Sequence, residues 1–324
     1  MHIVVTGGAG FIGSHFCEQL IARGDRVTCV DDLSSGHIDN IYALLGSPNF
    51  AFIEQDVSTG ITVTGPIDAV AHLASPASPP DYSRRPLDTL AVGSRGTENA
   101  LNLAYEHGAR FLLTSTSEIY GDPKVHPQRE DYWGNVNPIG PRSVYDEAKR
   151  YAEAVTFAYR RAKNVNGGVV RIFNTFGPHM RAEDGRVVSS LIVQALAGNA
   201  LTIYGSGKQT RSFCYVDDIV RALMIMIDCD EPGPVNLGNP EELTIVELAE
   251  LVCEIVGCSV PMTFHPLPTD DPQRRKPDIG YAQQRLSWTP RVSVRDGLQR
   301  TVRWFASRPD DVSAAAARLL HLRT

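Results

Sequence analysis

Tyr145 and Lys149 stand four residues apart in Tyr145-Asp146-Glu147-Ala148-Lys149. In a helix that spacing puts both side chains on one face. With ~6 Å between the charges and an effective dielectric of ~20, the ammonium attracts a phenolate by on the order of 3 kcal/mol. A phenol of ordinary pKa ~10 is then expected roughly two units lower, within reach of general-base work near neutrality. A second reactive stretch is Leu113-Thr114-Ser115-Thr116-Ser117-Glu118-Ile119-Tyr120-Gly121, whose hydroxyls and single carboxylate follow a predicted strand. The third is the glycine loop Thr6-Gly7-Gly8-Ala9-Gly10-Phe11-Ile12-Gly13, between an apolar strand and a helical pattern. Gly7 and Gly10 let backbone approach a pyrophosphate, and Gly13 lets helix and strand pack closely. The helix start then offers N–H groups and a partial positive charge to that anion. Asp31, 21 residues after Gly10, ends the next strand and completes a dinucleotide fingerprint. Its carboxylate accepts ribose hydroxyls and repels a 2′-phosphate, and Asp32-Leu33-Ser34-Ser35-Gly36 brings no Arg or Lys. NAD, rather than NADP, is the expected cofactor.

These groups need elements that bring them together. Apolar runs at His2–Thr6, Arg26–Val30, Phe50–Ile53, Ala69–Leu73, Phe111–Ser115 and Val169–Phe173 read as buried strands. Helical patterns at Phe11–Arg23, Leu87–His107 and Val144–Ala162 alternate with them. The alternation predicts an α/β fold, a doubly wound parallel sheet with its ligands outside the carboxyl ends of the strands. After about Asn174 Gly and Pro become frequent, and helices at Val187–Ala197, Thr244–Val256 and Arg295–Phe305 are separated by loops. Residues 1–173 are therefore read as a dinucleotide-binding domain and 174–324 as a smaller substrate domain. The segment near 213–237 is expected to return to the first, and the alanine-rich tail from Ser313 reads as a fraying surface helix.

Composition narrows the function. With 324 residues, 43% hydrophobic and 21% charged, the chain has the make-up of a globular protein of about two domains. No long uncharged apolar run predicts a membrane span, and Met1-His2-Ile3-Val4-Val5 has no signal-peptide character. A net charge of −6, with Arg274-Arg275-Lys276 as the densest basic run, argues against nucleic acid as the ligand. Six cysteines without a Cys-x-x-Cys pair read as reduced thiols in the cytoplasm, and nine scattered histidines suggest no metal site. Gly205-Ser206-Gly207-Lys208 continues with Gln209 and is no P-loop.

Longer stretches carry a resemblance. They are His72-Leu73-Ala74-Ser75-Pro76-Ala77-Ser78-Pro79-Pro80, Ser115 to Pro123, and Tyr132-Trp133-Gly134-Asn135-Val136-Asn137-Pro138-Ile139-Gly140-Pro141-Arg142 before the Tyr/Lys motif. Further on come Arg171 to Pro178, Asp184 to Ser189, Gln209 to Phe213 and Asp271-Pro272-Gln273-Arg274-Arg275-Lys276-Pro277-Asp278. With them the chain resembles the extended short-chain dehydrogenase/reductases (Rossmann fold) that act on nucleotide sugars. Within these it is similar to the UDP-glucuronate decarboxylase (UDP-xylose synthase) family. The glycine loop and Tyr/Lys pair are shared by the whole superfamily; the Ser-Pro-Ala-Ser-Pro-Pro and Thr-Ser-Glu segments are far more specific.

The resemblance implies a reaction. Tyr145, positioned by Thr116 and Lys149, takes the C4 hydroxyl proton while hydride passes from C4 to NAD⁺. The 4-keto sugar acid loses CO₂, its enolate is protonated at C5, and hydride returns to C4. Glu118 and Arg275 are implied to flank the sugar. Asn174, Arg186, Arg211 and Arg275 are implied to hold the diphosphate and Tyr204 to lie near the base, with uracil and thymine left open. The implied cofactor contacts add Phe11, Ile12, Asp32, Ser34, Ser35, Leu73 and Thr175, with Asp56-Val57 against adenine. Related 4,6-dehydratases carry an Asp where this chain has Ser117, too weak an acid to expel a hydroxyl. A 4-epimerase or 4,6-dehydratase remains the enzymatic alternative, and an NAD-binding regulatory protein one of another class. Two departures stand out: Gly93 replaces the usual Asn of the superfamily, and Asp32 the usual Asn of the decarboxylases. A homodimer through Leu87–His107 and Val144–Ala162 is the family expectation, in a soluble cytoplasmic form of an enzyme that elsewhere can be membrane-tethered.

Overall fold

The computed structural model describes residues 1–268, 270–272 and 274–321. Gln273 of the quoted motif, and Leu322, Arg323 and Thr324 of the tail, lie outside the described residues. The chain opens with β1 (His2–Thr6), α1 (Phe11–Arg23), β2 (Arg26–Asp31), β3 (Phe50–Glu54) and β4 (Ala69–His72). Then come α2 (Pro79–Arg84), α3 (Pro86–Ala91), α4 (Thr97–His107), β5 (Arg110–Thr116), α5 (Ser143–Lys163) and β6 (Gly167–Ile172). The remainder begins with β7 (Thr175–Phe176), α6 (Val187–Leu196), β8 (Leu201–Tyr204), β9 (Thr210–Ser212), β10 (Cys214–Tyr215) and α7 (Val216–Ile227). It continues with β11 (Val235–Leu237), β12 (Glu242–Thr244), α8 (Ile245–Val256), β13 (Met262–His265) and β14 (Arg274–Arg275), and ends with α9 (Gly280–Leu286), α10 (Val294–Ala306) and α11 (Pro309–His321).

Seven parallel strands form the main sheet in the order β11-β6-β5-β4-β1-β2-β3. Every residue of β1 and β5 is buried, as in a strand covered on both faces. The order reverses between β1 and β4, which opens a crevice at their carboxyl ends. Thr6, Asp31, His72, Thr116 and Ile172 end five of these strands, so the glycine loop, Leu73, Glu118 and Asn174 all emerge at that edge. Buried His72 ties the crevice floor together. Its Nδ1 meets Thr6 Oγ1 at 2.7 Å and its Nε2 meets Thr97 Oγ1 at 3.2 Å. Burial pushes its pKa down to about 3, so the ring stays neutral.

One sequence expectation needs correcting here. Leu87–His107 is not one regular helix, because a π-turn at Val92–Gly96 separates α3 from α4. Gly93 sits in that turn against α5. A Cβ added there would lie 2.5 Å from Ala148 Cβ, so the two helices are closer than any side chain at 93 allows. The tail differs too: its helix starts at Pro309 and buries Val312, Ala315 and Ala316.

The second half contributes three smaller pairings. β13 runs beside β8, β10 beside β7, and β12-β9-β14 form a three-stranded sheet. In the last, parallel pairing of β14 with β9 sets Arg275 opposite Arg211. Two buried guanidinium groups 64 residues apart are thereby aimed at the crevice.

Candidate active site

One cavity of about 840 Å³ runs along the carboxyl edge of the sheet and under the second half of the chain. Every residue singled out from the sequence as a site candidate lines it. At one end is the glycine loop. The start of α1 at Gly10 has no side-chain cap, so its first N–H groups face the cavity without a partner from the chain's own side chains. A Cβ on Gly13 would lie 2.1 Å from the Gly7 carbonyl oxygen, so only glycine keeps the loop this tight. The Asp31 carboxylate accepts from Ala9 N at 3.0 Å and Leu33 N at 2.9 Å. It braces the loop while its remaining lone pairs line the cavity. Burial raises its pKa, and those backbone bonds oppose the rise. Asp32 accepts from Ser34 N at 2.9 Å, and Asp56 caps the turn Val57–Thr59 through Ser58 N at 2.8 Å. This cradle suits the pyrophosphate and ribose of a dinucleotide.

The reacting groups lie further along. Lys149 donates to the Thr114 carbonyl at 3.0 Å, and its Nζ stands 6.0 Å from the centre of the Tyr145 ring. The two side chains thus share one face of α5, as the spacing predicts, but without the expected consequence. Burial, and then the charge of Glu118, push the Tyr145 phenol above its ordinary value; a hydrogen bond from Thr116 pulls the other way. Burial likewise lowers Lys149 to about 8, against the pull of Glu153. The expected two-unit drop is therefore corrected: the cost of dehydrating a phenolate inside the protein, together with the charge of Glu118, outweighs the groups that favour the phenolate. The Tyr82 ring stacks on Tyr145 with centroids 5.4 Å apart and planes 11° from parallel.

Glu118 is held by two arginines. Arg275 donates to both its oxygens, at 2.6 and 2.8 Å, and Arg142 adds a bond at 2.7 Å. Burial opposes ionisation, yet the two guanidinium groups win and hold Glu118 down to about 2. Arg142 also lies 3.6 Å from Asp271. Below α5, Arg171 grips Glu153 at 2.8 and 3.0 Å, and Ser115 donates to the same carboxylate. That buried network fixes α5 on β5 and β6, and with it the positions of Tyr145 and Lys149.

Toward the second half, Arg186 pairs with Asp184 at 2.8 Å and Arg211 with Asp271 at 2.8 Å. Burial and the neighbouring Arg275 pull Arg211 down to about 10. Asn174 and Tyr204 line the same stretch, Tyr204 half exposed. The resemblance assigns Arg186, Arg211 and Arg275 to a diphosphate. In the structure each already faces a carboxylate. Arg142, Tyr82 and Asp146 were not picked out from the sequence. Arg142 had one signal, its place three residues before Tyr145; Tyr82 and Asp146 had only their neighbours.

Residues 3–238 match the model of the NAD dependent epimerase/dehydratase family. The chain is 50% identical over 308 residues to UDP-glucuronic acid decarboxylase 1 of Arabidopsis thaliana, covering 95% of this chain and 70% of that protein. It is 51% identical over 304 residues to UDP-glucuronic acid decarboxylase 1 of Danio rerio, covering 94% and 72%. Among solved structures, UDP-glucose 4-epimerase from Thermotoga maritima with UDP-glucose superposes with TM-score 0.86 at 30% identity, over 95% and 99% of the chains. UDP-glucuronic acid 4-epimerase from Bacillus cereus, with UDP-glucuronic acid and NAD, gives 0.84 at 28% identity, over 95% and 99%.

Proposed function

Because the chain belongs to the NAD-dependent epimerase/dehydratase family, we propose that it decarboxylates UDP-glucuronate to UDP-xylose through a 4-keto intermediate. NAD fits the cradle of Gly7, Gly10, Gly13 and Asp31, and supplies a reversible two-electron acceptor for C4 of the sugar. Tyr145 takes and returns the C4 hydroxyl proton, with Thr116 hydrogen-bonded to it and Lys149 supplying positive charge beside it. Glu118 and Arg275 orient the sugar ring as an ion pair. Asn174, Arg186 and Arg211 receive the diphosphate, and Tyr204 lies toward the base. In this reading residues 1–173 carry the cofactor and 174–324 the sugar nucleotide, while β11, from the second segment, pairs with β6 in the first.

One observation carries the choice of reaction. The acid beside Tyr145, Glu118, is kept ionised by two guanidinium groups, and Ser117 occupies the place where a dehydratase needs a proton donor. Neither residue is thus a carboxylic acid poised to expel a hydroxyl, whereas the carboxylate of a β-keto acid leaves as CO₂ without protonation of a leaving group. About 50% identity to curated decarboxylases supports the same reading. With UDP-glucuronate and NAD, the protein is expected to release CO₂ and form a UDP-pentose. Mass spectrometry of the products, run beside dTDP-glucuronate, checks this. Inversion to a UDP-hexuronate without CO₂, or turnover of neutral hexoses alone, would assign it to the epimerases or dehydratases instead.

The protein is further read as a homodimer in the cytoplasm. Support for the dimer comes from apolar side chains left on the outer face of α3 to α5. Leu87 is 79% exposed, and Leu90, Tyr105 and Tyr151 are also exposed. Light scattering should give twice the chain mass, and Leu87→Glu with Tyr151→Glu should halve it. A monomeric wild-type protein would refute the dimer. Support for the location is the set of six free cysteines. No described helix is long and apolar enough to cross a membrane.

A further inference from the structure

Loss of CO₂ from a carboxylate consumes one proton per turnover, because a C–H bond replaces the C–C bond and the carboxylate charge disappears. Tyr145 cannot be its net source, since the proton it takes from the C4 hydroxyl must go back there. Glu118 cannot either, clamped as an anion by Arg142 and Arg275. The proton must then come from solvent, and a carboxyl group close by that exchanges protons with water near neutrality can relay it.

Asp146, next in sequence to Tyr145, meets the requirement. It is 6% exposed, and its Oδ1 is buried with no hydrogen-bond partner. It lines a second cavity of about 480 Å³, walled also by Asp122, Asn135, Asn137, Asp270 and Asp271. Arg142, Pro268 and Asp271 line both cavities, so the side pocket adjoins the large one at these three residues. The groups acting on Asp146 are Glu118, Glu147, Tyr82 and Tyr145 on the negative or polar side and Arg142 and Arg275 on the positive. Burial and Glu118 prevail and raise its carboxyl to about 7.

Resting on the decarboxylase reading above, we propose that the side pocket is the inlet for the proton that decarboxylation consumes, and that Asp146 is the carboxyl that carries it. The O–H bond of Asp146 breaks and its proton passes through intervening water, beside Arg142, to the carbon that has lost CO₂. A C–H bond forms there, and Asp146 regains a proton from water in the side pocket. One carboxylate and one proton enter, and CO₂ and a C–H bond result. Asp146 works through water and does not touch the reacting atoms.

The test uses the full chain with NAD and UDP-glucuronate, comparing wild type, Asp146→Asn and Asp146→Glu. In wild type kcat is expected to fall as pH rises through about 7, because the protonated carboxyl is the donor. Asp146→Asn should lose that limb and lower kcat by about 10²-fold with KM nearly unchanged. In a single turnover it should accumulate reduced cofactor, because C4 is oxidised before the delayed protonation. Asp146→Glu should restore most of kcat. Thermal melts provide a check independent of turnover. Wild type should lose stability relative to Asp146→Asn as pH rises through about 7, since only wild type must then bury a charge. An Asp146→Asn protein with wild-type kcat and pH limb overturns the proposal. So does a loss of kcat with raised KM and no reduced cofactor, which would make Asp146 merely structural. Absence of CO₂ from the wild-type protein overturns the decarboxylase reading itself, and this inference with it.

Discussion

Tyr145→Phe is expected to lower kcat for CO₂ release by about 10³-fold or more, in the range for loss of a positioned acid–base group. That is about 4 kcal/mol of transition-state stabilisation. The substitution removes one oxygen and keeps the ring, so the stack on Tyr82 and the burial against α2 survive. Folding stability should therefore change by under about 1.5 kcal/mol, as for one net hydrogen bond. The contrast between a large kinetic and a small thermodynamic effect isolates proton transfer from architecture. Stopped-flow CO₂ detection and melting curves on the same preparation measure both. A variant within tenfold of wild type would remove Tyr145 from the mechanism. Burial holds the phenol above its ordinary value in the protein by itself, so Tyr145 is protonated at neutral pH. Positive charge brought in by the oxidised cofactor pushes the other way.

Glu118→Ala should be the most damaging change for the fold at the site. It leaves the buried Arg275 and the partly buried Arg142 guanidinium groups side by side without their shared anion. Breaking a buried pair by removing one partner costs roughly 3–5 kcal/mol. The held-down pKa implies a similar figure: a fall from 4.5 to about 2 corresponds to about 3 kcal/mol. The pH signature has a definite sign. A carboxylate with a depressed folded-state pKa stabilises fully above its unfolded value and loses that contribution as pH falls through about 2. Urea unfolding of wild type and variant should thus show a constant gap from neutral pH to about pH 5.5, narrowing below it. A gap under about 1 kcal/mol at neutral pH would mean that the cluster is loose and the ion pair unimportant.

Local features were readable in the sequence and long-range ones were not. The glycine loop, Asp31 and the Tyr145/Lys149 pair are legible because each is defined within one turn of chain or one βαβ unit. Glu118 and Arg275 entered through resemblance, but their mutual clamp depends on β14 pairing with β9, a register that spacing does not reveal. Arg142 was overlooked for the same reason, since its value lies in the partners that converge on it. The pKa of Tyr145 was misjudged because spacing supplies a distance and says nothing of how much water is left around the phenol. The π-turn was missed because apolar periodicity over 87–107 does not register one extra residue per turn at Gly93.

The contact of Gly93 with Ala148 makes these positions a matched pair. Ala148 lies between Tyr145 and Lys149 on α5, so the spacing of that helix from the π-turn sets how deep the motif reaches into the cavity. A larger side chain at 93 would move the whole motif outward as a rigid body. Grafting Tyr-x-x-x-Lys from this chain into a relative is therefore a two-site operation, in which the residue at 93 must travel with the helix it faces.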